Sequence, residues 1–289
     1  MMISFKILNF FLELFNFNKL VEKSFSNPPR NKIKIKKSVN FQFFDAVEFK
    51  VMHQSVVTLK PKVKRNKNHI IFFHGGAYVL QGSSMHFKLI KTIARKANCK
   101  VSYIDYPLAP ENTYKNTFEM VDQSYKLLID KYPDDNFILM GDSAGGGLAL
   151  AFAQKLINDK ATKLPVKCVL FSPWVDISMT NPLIKYQQRK DKILPLSGLM
   201  HAARKYAGED DLNNYLLSPI HGMFDDLPPT YIFYGTEELF YPDIEILKEN
   251  IKNLETFKFY KFEGMQHDWV ILPIPEAKVA IEEAIKFIV

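Results

Sequence analysis

Gly141-Asp142-Ser143-Ala144-Gly145 reads as G-x-S-x-G within a chain of 289 residues. It follows the apolar run 137–140 and opens a helical pattern that continues to about Asn158. At so tight a strand-to-helix turn, Gly141 and Gly145 stand where side chains would collide. Ser143 is then lifted above the sheet as a nucleophile. A serine that takes up an acyl group needs hydrogen-bond donors for the oxyanion that forms on the attacked carbonyl. His74-Gly75-Gly76-Ala77 ends an earlier apolar run, and its small residues let backbone N–H groups face a substrate. The N–H of Ala144 points to the same place. His74 is expected to hold this loop by hydrogen bonds rather than to act as the base.

The base must be a histidine placed after the nucleophile and after an acid, the chain order that such an elbow uses. Of the seven histidines, only His267 lies between the last apolar run and the last helical pattern, in Gly264-Met265-Gln266-His267-Asp268. The acid belongs in Gly235-Thr236-Glu237-Glu238-Leu239-Phe240-Tyr241-Pro242-Asp243, directly after another apolar run. A carboxylate there can accept the His267 N–H, fix its tautomer and stabilise the imidazolium. Glu237, Glu238 and Asp243 all qualify, and spacing does not choose among them. Asp243, just past Pro242, also suits the first turn of a helix.

No His-Glu-x-x-His, Cys-x-x-Cys, G-x-x-x-x-G-K-[ST] or G-x-G-x-x-G occurs, so neither a metal nor another cofactor is expected. The composition, 47% hydrophobic and 24% charged, excludes disordered, collagenous and disulfide-scaffold proteins. Cys99 and Cys168 each lie in an apolar run and read as buried free thiols of a reducing, cytoplasmic compartment. The net charge of +7 is concentrated between Arg30 and Lys67. Aromatic residues do not alternate with those charges as a nucleic-acid surface requires, so the stretch reads as solvated strands and turns. No run is long and apolar enough for a membrane span. Glu13 and Asn9 interrupt the apolar start of the chain, and no small-residue cleavage site follows. Phe5, Ile7, Phe11, Leu12 and Phe15 are expected on a helix that covers a pocket mouth.

The elements that must hold these residues follow from the alternation of short apolar runs with helical patterns from residue 69 onward. Strands are expected at 70–73, 101–105, 137–140, 166–171, 230–234 and 257–262. Helices are expected at 117–131, up to about 158, and at 242–253. Ala277, Ala280, Ile281, Ala284, Ile285 and Ile288 form the stripe of a last helix. The polar segment 175–227 breaks this rhythm and reads as an insertion with helical pieces such as 199–206. The expectation is a doubly wound α/β domain, a mostly parallel sheet with helices on both faces and a helical lid.

HGGAY at 74–78, DYPLAPE at 105–111, GDSAGG at 141–146, SPWVD at 172–176 and GMQHDW at 264–269 together resemble the hormone-sensitive-lipase-like α/β-hydrolases, the bacterial family IV esterases. The resemblance implies an α/β-hydrolase fold spanning 1–289 as one domain, with a lid built from about 1–35 and an insertion at about 176–227. It implies a carboxylic ester hydrolase, with Ser143 as nucleophile, His267 as base, and the N–H groups of Gly75, Gly76 and Ala144 as the oxyanion hole. Counted from Gly235 to Pro242-Asp243, the family's acid motif places the acid at Glu238, a glutamate where aspartate is usual. HGGA replaces HGGG, which adds a methyl beside the donor loop. Pro107 stands where the family usually has arginine, so an ion pair at that position is lost. The expected activity is hydrolysis of esters with small to medium acyl chains through an acyl-enzyme. Amide, peptide or carbohydrate-ester substrates on the same fold are the alternative, and a binding protein without activity is a further one. The expected partner is a small-molecule ester, with no nucleic acid and no stable membrane span; a homodimer stays open.

Overall fold

The structure, a computed structural model, describes residues 5–30, 43–63 and 66–289. Two short helices, α1 (Phe5–Leu14) and α2 (Phe17–Ser26), precede a hairpin of β1 (Phe44–Val51) and β2 (Gln54–Pro61). Then follow β3 (Asn68–Phe73), α3 (Ser84–Ala97), β4 (Lys100–Ile104), α4 (Tyr114–Lys131), β5 (Asn136–Asp142), α5 (Ala144–Asn158) and β6 (Lys167–Phe171). The segment after β6 carries α6 (Ile184–Gln187) and α7 (Leu196–Ala207). The chain closes with β7 (Thr230–Gly235), α8 (Tyr241–Asn250), β8 (Phe257–Phe262) and α9 (Pro275–Ile288).

The eight strands form one sheet in the order β1-β2-β4-β3-β5-β6-β7-β8. β1 and β2 pair antiparallel, as do β2 and β4, and every other neighbour pairs parallel. Parallel strands covered on both faces read as continuous apolar runs, which is why 70–73 and 137–140 were visible as strands. Successive side chains leave opposite faces. Ile71, Phe73 and Leu139 join the core under α4, α5 and α8, whereas Ile70, Phe72, Ile138 and Met140 join the one under α3 and α9. Ala277, Ala280, Ala284 and Ile288 of α9 are buried on that second face, and Ile281 and Ile285 of the expected stripe pack half-buried against it.

Three features differ from the sequence reading. α4 starts at Tyr114 rather than 117, because Thr113 and Asn116 make a reciprocal cap around its first turn. α3 has no counterpart in that reading; it is capped by Ser83 and His86. Phe15, expected to cover the pocket, is 64% exposed. Phe5 packs against the second core and Leu12 lines the pocket, as expected. The side chains of Ile7 and Phe11 lie outside the described residues, as do residues 1–4 and 31–35 of the expected lid.

α7 packs on α2 at Gly198, where a Cβ would lie 3.2 Å from Phe25 Cδ2. Ser197 Oγ donates to Glu22 across the same contact. Of the basic stretch, Lys32, Lys34, Lys36, Lys37, Lys64 and Arg65 lie outside the described residues. Lys50 and Lys62 are exposed on the hairpin, facing Glu48 and Asp45. Pro107 makes no ion pair, but Glu111 of the same motif takes Arg30 through two hydrogen bonds of 3.1 and 2.6 Å. Cys99 and Cys168 are free and buried, and burial pushes both thiols up to about 12. Among the described residues, no helix is long and apolar enough to cross a membrane.

Candidate active site

Ser143 sits between β5 and α5 with φ 53° and ψ −123°, a conformation that costs energy in any residue but glycine. The flanking glycines make it reachable. A Cβ on Gly141 would lie 2.2 Å from the Gly145 carbonyl oxygen, and one on Gly145 would lie 2.1 Å from that of Phe73. Any side chain at either position would force the turn open.

Ser143 Oγ lies 2.8 Å from His267 Nε2, and His267 Nδ1 lies 2.9 Å from Glu238 Oε2. Glu238 is fully buried, and its second oxygen accepts the Gly235 N–H at 2.8 Å, which pins the carboxylate at the end of β7. Since the carboxylate only accepts, Nδ1 carries the proton and Nε2 is left to accept from Ser143. Of the three carboxylates left open by spacing, this is the one hydrogen-bonded to His267. Glu237 accepts from Gln266 Nε2 at 2.8 Å. Asp243 takes Asn181 Nδ2 at 2.8 Å in the first turn of α8, and burial pushes its carboxyl up to about 7.

Burial alone disfavours the imidazolium form of His267. Asp268 and Glu238 outweigh that effect and hold its pKa well above the ordinary 6.5. Phe240 meets the imidazole edge-on at 4.9 Å and stacks in turn on Trp174, which backs one side of the ring.

His74 donates Nδ1–H to the Gly75 carbonyl at 2.7 Å and stacks on Tyr106 at 4.4 Å. Burial drives its pKa down to about 4, so it stays neutral and holds the loop, as the sequence reading had it. The donor set itself needs a correction. Gly75, expected in the oxyanion hole, gives its N–H to Asp142 Oδ2 at 3.0 Å. Asp142 lies directly beneath the loop, and a Cβ on Gly75 would come within 2.4 Å of the same oxygen. Beyond it, Gly76 (φ 122°), Ala77 (φ 52°) and Tyr78 (φ 61°) turn the backbone through the left-handed region. Successive amides in such a bend can converge on one anion. Among the described residues, no protein acceptor takes the N–H of Gly76, Ala77 or Ala144.

Three carboxylates around the site had no place in the sequence reading. Asp142 Oδ2 also accepts from His86 Nε2 at 2.9 Å, tying α3 to the elbow. Asp191, in the insertion, accepts the N–H groups of Ile193, Leu194 and Leu239 at 2.7 to 2.8 Å, tying the insertion to the Glu238 loop. Asp268 lies 3.3 Å from His267 Nε2. The links of the first two to the site were invisible, because the Asp142–His86 and Asp191–Leu239 contacts span 56 and 48 residues. Asp268 was visible in GMQHDW, beside His267.

Ser143 and His267 open into a cavity of about 260 Å³. Leu12, Phe17, Val21 and Phe25 line it from α1 and α2, and Ile193 and Leu194 from the insertion. Among the described residues, no group of three or more His, Cys, Asp or Glu side chains is placed to hold a metal ion.

A parallel sheet with this elbow, and a histidine and carboxylate behind it, defines a hydrolase of the α/β type. A family model described as alpha/beta hydrolase fold matches residues 70–271, and the chain belongs to that family. It is similar to an esterase of Acinetobacter venetianus, 28% identical over 78% of this chain and 76% of that protein. An acetyl-hydrolase of Streptomyces hygroscopicus is 29% identical over 82% of this chain and 80% of that one. A crystal structure of a putative esterase from Staphylococcus aureus superposes with a TM-score of 0.82 at 28% identity, covering 94% and 91% of the two chains. The resemblance read from the five motifs is borne out at the level of family and fold.

Proposed function

We propose that the protein is a serine carboxylesterase for small to medium acyl esters, with Ser143 as nucleophile, His267 as base and Glu238 as acid. The hydrogen-bonded line from Ser143 through His267 to Glu238, at the floor of an apolar cavity, carries this reading. His267 Nε2 takes the hydroxyl proton as Oγ attacks the ester carbonyl. The resulting oxyanion accepts hydrogen bonds from the N–H groups of Gly76, Ala77 and Ala144; Gly75 instead braces the loop through Asp142. As the intermediate collapses, Nε2–H returns the proton to the leaving alkoxide and leaves an acyl-serine. Water, deprotonated by His267, then releases the acid.

α1, α2 and the insertion act as the lid, since their apolar side chains form much of the cavity wall. The two buried free thiols favour a cytoplasmic, reducing location. Initial rates on p-nitrophenyl esters from C2 to C12 test the reading. Turnover is expected for the shorter and middle chains, lost in Ser143→Ala. No turnover at any length by folded protein would reject it.

A further inference from the structure

Among the described residues, Asp268 is the one carboxylate lining a pocket whose other walls are apolar or neutral side chains and the imidazoles of His86 and His267. Its Oδ2 is 3.3 Å from His267 Nε2, and its side chain is 15% exposed. Its Oδ1 is enclosed and has no hydrogen-bond partner in the protein. No helical duty accounts for it, since the side chain does not cap the short 3₁₀ turn that follows. The backbone at Asp268 lies at φ 52°, in the left-handed region that aspartate tolerates better than most residues. That conformation carries the side chain into the cavity, whose wall it forms with Ser143, His267, Ser83 and His86. Gln81 lines the same cavity, and its Oε1 is also enclosed without a partner. A buried acceptor without a donor is costly, and a carboxylate more so than a neutral group. Burial pushes the Asp268 carboxyl up to about 6, the direction expected of an under-partnered acid.

Its position relative to the chemistry identifies the part of the substrate it meets. The leaving alkoxide collects its proton from His267 Nε2, so the alcohol half of the ester lies against that nitrogen. A carboxylate within 3.3 Å of the same nitrogen borders the alcohol half, not the acyl half. We propose that Asp268 selects esters whose alcohol carries a hydrogen-bond donor, a hydroxyl or a protonated amine, on the carbon next to the ester-bearing carbon. Monoesters of vicinal polyols and of amino alcohols are this class. The donor pairs with Oδ2, the oxygen that otherwise competes with the alkoxide for the proton on Nε2, while the enclosed Oδ1 stays out of its reach. This specificity rests on the assignment of Ser143 and His267 as the hydrolytic pair.

The test compares butyrate esters that differ only in the alcohol: propyl, 2-hydroxyethyl, 2-(dimethylamino)ethyl and choline, followed by pH-stat at pH 7. The amine ester is a protonated donor that cannot undergo acyl migration, whereas choline supplies the charge without a donor. The quantity read is kcat/KM for each ester relative to propyl, in the native protein and in two variants. Asp268→Gly removes the carboxylate at a φ that glycine adopts freely. Asp268→Asn keeps the shape and a neutral acceptor, and serves if the glycine variant fails to fold. One hydrogen bond to a charged group corresponds to about tenfold or more. The relative preference for the hydroxyl and amine esters should therefore fall about tenfold in Asp268→Gly. In Asp268→Asn the amine preference should fall more than the hydroxyl preference, with choline falling less than the protonated amine. Taking ratios cancels the intrinsic reactivity of each ester and any general loss of activity. Equal ratios in native protein and both variants, with propyl butyrate still turned over, would overturn the role of Asp268 alone. Absence of turnover on all four esters by folded native protein would overturn the hydrolytic reading and this specificity with it.

Discussion

Glu238 differs from its two neighbours in partner rather than in charge: it meets His267 Nδ1, Glu237 meets Gln266 and Asp243 meets Asn181. Glu238→Gln is therefore expected to lower kcat by about 10³ to 10⁴, the scale of losing a triad acid. Glu237→Gln and Asp243→Asn should each cost less than about tenfold. Steady-state kinetics on one ester measures all three, and a larger loss from Asp243→Asn in folded protein would contradict the assignment. The pH profile follows from His267, the proposed base, which must be neutral to take the Ser143 proton and whose pKa is held above 6.5 by Asp268 and Glu238. The rate should rise with pH through a midpoint above 6.5 and then level off. Asp268→Asn removes one of the charges that favour imidazolium, so its midpoint should move to lower pH. An unmoved midpoint would show that Asp268 does not act on the base. The residues that could be read from sequence were those whose role depends on immediate neighbours, Ser143 within its glycines and His267 within its loop. The parts that Asp142 and Asp191 play beside the site could not be read, because the contacts that bring them there, to His86 and to Leu239, join distant residues. The Gly75 error has the same origin: its N–H is taken by Asp142, 67 residues on.

At the scale of elements, the buried strands and α9 were legible because burial imposes apolar runs on a parallel strand and a stripe on a helix. The strand order was not, since placing β4 outside β3 depends on long-range pairing. α3 carries a stripe of the same kind, with Phe87, Ile90, Ala94 and Ala97 buried and Lys88, Arg95 and Lys96 outward, and was legible in principle. The covering face of α1 was only half right, with Leu12 in the pocket and Phe15 in solvent. Deleting residues 1–20 removes Leu12 and Phe17 from the cavity wall. Activity on C8 esters should fall at least about fivefold relative to C2, the scale of roughly 1 kcal/mol of lost apolar contact. Equal loss on both chain lengths would contradict a wall that shapes acyl preference. The insertion is tied to the Glu238 loop by Asp191, whose removal orphans the buried N–H groups of Leu194 and Leu239 and the half-buried one of Ile193. Asp191→Ala is expected to cost roughly 3 kcal/mol of stability. It should also lower kcat by about tenfold through a displaced Glu238. Denaturant melts and kinetics check both, and an unchanged midpoint would show that the insertion does not brace the acid.

For the molecule as a whole, the sheet supplies a rigid floor from which β5, β7 and the turn after β8 present Ser143, Glu238 and His267 at hydrogen-bonding distance. Two of those distances, 2.8 and 2.9 Å, join residues 124 and 29 positions apart, so the fold and not local sequence creates the site. The helices at the chain start and the insertion then close an apolar chamber over it. Covalent trapping tests this assembly most directly. Diethyl p-nitrophenyl phosphate reacts with a serine only where a base activates it and donors receive the phosphoryl oxygen. Incubation with one equivalent, followed by peptide mapping, should find the diethylphosphoryl group on Ser143 and a matching loss of esterase activity. In Glu238→Gln the same labelling should slow by at least about a hundredfold. An adduct on another residue, or esterase activity that survives stoichiometric labelling of Ser143, would contradict the account.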